Sequence, residues 1–109
     1  MTPDGFAAMS ATQRSAETFP LVLGRIEDGG NGAQWYPIDT GESPMINLRV
    51  PRPARELGRE EQTAFDLADG TRSLGEVCGR GAAASTRCQF VEGAVKDGLA
   101  LAFGRRWEP

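Results

Sequence analysis

The chain contains no histidine. That removes the commonest general base and the commonest metal ligand. Cysteine is nearly as scarce. Cys78 and Cys88 are the only two, and without histidine they complete a tetrahedral zinc site only if carboxylates help. Positive charge is in deficit, with 12 Lys and Arg against 15 Asp and Glu for a formal net charge of −3. A broad nucleic-acid surface would instead favour a basic stripe to neutralise phosphates. No apolar run approaches the roughly 20 residues of a membrane span. The opening "MTPDGFAAMSATQRSAETFP" lacks the basic and apolar regions of a signal peptide. The expected compartment is therefore cytoplasmic, where the two cysteines are expected as free, buried small hydrophobes on adjacent helices. Neither "GxGxxG" nor "GxxxxGK[ST]" occurs, and the glycines of "GRIEDGGNG" (Gly24 to Gly32) read as a hairpin loop rather than a phosphate cradle. Glu60, Glu61 and Asp66 read as a solvated helix face, not an acid/base pair. A chain so short of catalytic groups is expected to be no enzyme, with no catalytic residue, metal or cofactor of its own.

What is present suits one small α+β domain. Residues 1–18 read as a flexible or partly helical arm, 19–103 as the domain and 104–109 as a tail. "FPLVLGRIE" (Phe19 to Glu27), "AQWYPI" (Ala33 to Ile38) and "MINLRV" (Met45 to Val50) read as strands, the last with apolar residues alternating. Pro37 cannot donate to a ladder, which makes its strand short or an edge. The period then changes. Leu57, Ala64, Phe65, Leu67 and Ala68 form a helical stripe, and Gly70 stands where a C-cap is expected. Ser73 with Glu76, and Thr86 with Gln89, each have the spacing of a capping box that opens a helix. Leu74, Val77 and Cys78 face inward from the second helix. Phe90, Val91, Ala94 and Val95 do so from the third. "LALAF" (Leu99 to Phe103) suits either a closing strand or a last buried turn. The expected architecture is winged-helix-like: an N-terminal three-stranded antiparallel sheet, then three helices. "DLADGTRSLGEV" (Asp66 to Val77) is then a helix–turn–helix connection.

The longer stretch "LGREEQTAFDLADGTRSLGEVC" (Leu57 to Cys78), with "KDGLAL" (Lys96 to Leu101), resembles the PqqD-like recognition elements of ribosomal-peptide modification pathways. Their pattern has a short helix ending in "DG", a helix reading "l.Ei" and a third ending in "Gll". The resemblance covers roughly Met45 to Phe103 and is weaker over Leu21 to Ile38. It departs from the pattern at "PRPARE" (Pro51 to Glu56). It implies non-catalytic docking of a precursor's leader peptide and its delivery to a partner modifying enzyme, the family's partners including multinuclear iron oxidases and radical-SAM enzymes. The leader would add as a strand beside Met45, Ile46, Asn47, Leu48, Arg49 and Val50, across Arg87, Phe90, Val91 and Ala94 of the third helix. Arg87 would meet an acidic leader residue. The competing readings are a structural subunit that stabilises a metalloenzyme and a winged-helix DNA-binding regulator.

Overall fold

A computed structural model describes residues 3–29, 32–38 and 54–106. Two short helices come first, α1 (Pro3–Ala8) and α2 (Ala11–Glu17). Ser10 caps α2: its hydroxyl accepts from the Gln13 amide while the Gln13 side chain accepts from the Ser10 amide. The stretch expected as an arm therefore carries structure, and Phe6 is fully buried in the core.

Strand β1 (Phe19–Val22) leads into β2 (Arg25–Gly29). The sequence suggested one continuous strand here. Gly24 breaks it, with a φ of +112° that carries the chain from one sheet to another. β2 pairs antiparallel with β3 (Gly32–Tyr36), Gly29 opposite Gly32. β3 in turn pairs with β4 (Arg55–Leu57), Trp35 opposite Arg55. The candidate strand Met45 to Val50 lies outside the described residues. Leu57, counted as helical from its spacing, belongs to β4, and Gly58 separates it from α3 (Arg59–Leu67). Glycine has no capping side chain. The start of α3 is instead met by the Glu61 carboxylate, which accepts from the Gly58 amide at 3.1 Å.

α4 (Leu74–Cys78) opens with the expected Ser73–Glu76 capping box. α5 (Ala84–Lys96) does not begin at Thr86. The helix starts earlier, in the alanine run, with Ala83 as a cap that offers no side-chain bond. "LALAF" resolves as a strand: β5 (Ala100–Phe103) pairs antiparallel with β1, Phe19 opposite Phe103. The observed fold is α+β with small antiparallel sheets, ordered β1–β5 and β2–β3–β4 among the described residues. This corrects the expected order. Among the described residues two helices precede the strands, four strands precede α3, and a fifth strand follows α5.

The "DGTRS" turn is bound into this frame. The Thr71 amide donates to Asp69 Oδ1 at 3.0 Å and Arg72 Nη1 to Oδ2 at 3.2 Å. The Gly70 amide donates to the Pro20 carbonyl at 2.9 Å, and the Val22 amide to that of Ala68 at 3.0 Å. The turn thus flanks β1 on the edge away from β5. Gly70 has the expected positive φ, +85°, but the cap of α3 is Ala68, two residues earlier.

The cysteines also depart from expectation. Cys78 and Cys88 do lie on adjacent helices, but as a disulfide, with Cα atoms 5.3 Å apart. Gly79 and Gly81, with φ of +70° and +96°, fold the connection back so that both side chains meet between α4 and α5.

Candidate functional site: a groove between strand β4 and helix α5

The core supplies the floor of a groove. Trp35, 2% exposed, is held by its indole N–H, which donates to the Leu23 carbonyl at 2.8 Å. Its ring meets Phe90 edge-on at 5.2 Å and Phe65 at 6.2 Å, spacings at which aromatic pairs attract beyond their buried area. Phe90, Ala94 and Leu99 complete the apolar floor. Ala54, Arg55 and Glu56 form one wall and Thr86, Gln89 and Gly93 of α5 the other, enclosing about 670 Å³.

The helical wall follows from sequence spacing. Residues 86, 89 or 90, and 93 recur at three- or four-residue spacing, so they share one face of α5. Gly93 is the informative member. Its backbone is helical, and a Cβ built there meets nothing within 4 Å. Glycine inside a helix costs about 1 kcal/mol relative to alanine. Neither backbone conformation nor crowding among the described residues requires glycine at this position. What its small size does is keep the groove open.

Two arginines near the groove are held by carboxylates of α3. Arg55 pairs with Glu61 and lies over the Phe90 ring, 5.5 Å from its centroid. Arg87 Nε donates to Glu60 Oε2 at 2.8 Å. These contacts use Glu60 and Glu61 as structural partners of cations on other elements. Among the described residues, no three His, Cys, Asp or Glu side chains converge as a metal site.

The expected contact residues divide accordingly. Phe90 and Ala94 line the groove. Val91, fully buried, belongs to the core instead. Arg87 is engaged by Glu60 and does not line the groove. Met45, Ile46, Asn47, Leu48, Arg49 and Val50 lie outside the described residues. Sequence reasoning missed β4 and the wall residues Thr86, Gln89 and Gly93. Thr86 and Gln89 had the spacing of a capping box, and they stand on the groove face rather than at a helix start. A mid-helix glycine with no conformational duty was the signal that marked the place.

Among the described residues, no helix is long and apolar enough to cross a membrane. Compared with protein-family models, with curated proteins and with solved structures, the chain matches none.

Proposed function

We propose that this chain is a peptide-recognition module of PqqD-like, winged-helix type. It binds the leader of a ribosomally made precursor and presents it to a separate modifying enzyme. The observation that carries the reading is the groove: an aromatic floor, a strand on one side and a helix with an open glycine on the other. Among the described residues β4 is an edge, paired to β3 alone. An edge strand offers unpaired N–H and C=O groups to an extended peptide, and the adjoining hollow selects side chains. The receiving strand in this proposal is β4, Arg55–Leu57, with α5 crossing behind the peptide. No general base or metal cluster is needed, because the chemistry belongs to the partner. A DNA-reading α5 has less support. Its cations are Arg87 and Lys96, and Arg87 is held by Glu60.

The test is calorimetric titration with short precursor peptides encoded beside this chain. The expected dissociation constant is micromolar or tighter, about −8 kcal/mol. The blocking variant is Gly93→Arg, since that position is open. Ala94, only 5% exposed, is too buried to take a long side chain without disturbing the core. Gly93→Arg should abolish binding with an unchanged circular dichroism spectrum. Undiminished binding by a well-folded Gly93→Arg variant would remove the groove from the reading.

A further inference from the structure

We propose that the Cys78–Cys88 disulfide is a thiol-reversible fastening for the helical wall of the groove, so that a dithiol reductant weakens the groove's hold on a peptide. The coupling to peptide affinity rests on the groove reading above. The fastening itself rests on placement. Cys88 immediately precedes Gln89 and Phe90, which line the groove, and follows Thr86, which also does. The first turn of α5 has few other ties. Its cap, Ala83, makes no side-chain bond, and a Cβ at Gly81 meets nothing within 4 Å. Among the described residues the turn's ties are the Arg87–Glu60 pair and two local backbone bonds, from the Ala84 amide to the Gly81 carbonyl and from the Arg87 amide to that of Ala83. Further along, Val91 and Val95 are buried and fix the rest of the helix without help. The disulfide therefore holds the end of α5 that packing holds least.

The bond is also reachable from one side. Cys88 is half-buried whereas Cys78 is only 4% exposed. A thiolate of the reductant attacks the Cys88 sulfur, and the Cys78 sulfur leaves as a thiolate and takes a proton. The reductant's second thiolate then attacks its own sulfur in the mixed disulfide and releases Cys88. Two electrons and two protons pass to the cysteine pair, and the dithiol leaves as its disulfide.

The experiment compares the oxidised protein with protein reduced by dithiothreitol, thiols being counted in each. Hydrogen exchange is read over residues 84–96, and the peptide probe is a fluorescein-labelled sequence selected from a random display library against the oxidised form. Reduction should speed exchange over residues 88–91, whose amides donate to the carbonyls of the first turn, by about tenfold, with Val77 and Val95 still protected. The probe should bind about tenfold more weakly. Cys88→Ser should match the reduced protein and ignore dithiothreitol. Unchanged exchange over residues 88–91 overturns the fastening. So does a uniform rise across the whole core, which would make the bond a global staple. Faster exchange with unchanged probe affinity overturns the link to binding. A selected probe that still binds Gly93→Arg removes the groove reading, while the exchange result continues to decide the fastening.

Discussion

Replacing Gly24 by alanine should be far more damaging than its exposed, turn-like sequence context suggests. A Cβ there would stand 2.2 Å from the Tyr36 carbonyl oxygen, and 2.9 Å from both Pro37 Cα and the Trp35 indole nitrogen. Three costs combine. Alanine at a φ of +112° is strained by about 1 kcal/mol. The Tyr36 carbonyl is backbone, at the end of β3 opposite Arg25, and must move by roughly 1 Å to restore contact distance. That motion strains the first rung of the β2–β3 ladder, for about 1 kcal/mol more. The third cost falls on the Trp35–Leu23 hydrogen bond, whose loss leaves a buried donor unmet, again about 1 kcal/mol. The sum is about 3 kcal/mol, which in a domain of this size lowers Tm by about 15 °C. Urea unfolding followed by circular dichroism measures it directly. Gly81→Ala is the control, with a positive φ but nothing near the new Cβ, and should cost only about 1 kcal/mol. If the two variants agree within about 0.5 kcal/mol, below the size of one lost hydrogen bond, the close approach at Gly24 is not felt and the reasoning fails.

Gly93→Ala should go the other way, gaining about 0.5–1 kcal/mol in the same urea titration from helix propensity alone. Ser73→Ala removes the hydroxyl that receives the Glu76 amide at 3.2 Å and should lose about 1 kcal/mol. Phe6→Ala should cost about 3 kcal/mol, because a fully buried ring leaves a cavity; a loss under 1 kcal/mol would show that α1 is not part of the stable core. Acid should weaken the fold in part through Asp69 and Glu76. The Thr71 hydroxyl, and then the Thr71 amide and Arg72, hold the Asp69 carboxyl below its ordinary 3.8. The Ser73 amide and hydroxyl, then Arg106 and Arg72, hold Glu76 below 4.5. Each lowered value favours the ionised group in the folded state. The stabilisation is therefore full above those ordinary values and is lost as pH falls through the lower folded ones. The urea midpoint of Asp69→Asn should fall less steeply than wild type across that acid window. Parallel curves would show that the Asp69 contacts do not survive in solution.

The helices from α3 onward were the legible part of the sequence. A helical stripe ending in Asp69-Gly70 and a capping box at Ser73 and Glu76 place two of them, because caps act locally and leave a local trace. The same signal was available at Ser10 and Gln13 and marks α2 equally well. β4 was not legible. Arg55, Glu56 and Leu57 show no alternation, and Leu57 also fits the spacing of the helix that follows. A three-residue strand exists because a neighbour pairs with it, not because of its own pattern. The break at Gly24 was hidden for a related reason. Apolar residues continue on both sides of it, and only the approach of Tyr36, distant in sequence, dictates glycine. An expected cytoplasmic compartment argues for free cysteines, and that argument is blind to the geometry that joins Cys78 to Cys88. Half of the candidate site was visible as Phe90 and Ala94. The other half depends on which strand α5 faces, and that is a fact of tertiary structure.

The β1–β5 pairing, Phe19 against Phe103, bears on the order in which this molecule can assemble. The two strands come from opposite ends of the described chain, and the helices between them fold from contacts much nearer in sequence. Closing so long a loop is entropically unfavourable until those helices have formed, so this ladder is a late event and the domain belongs with the slower folders of its size. On a ribosome the wait is longer still. β1 is made before the helices and before its partner, so its β5 edge stays unpaired until residues 100–103 have followed. Anything that occluded β5 would leave the edge of β1 that β5 covers without its partner.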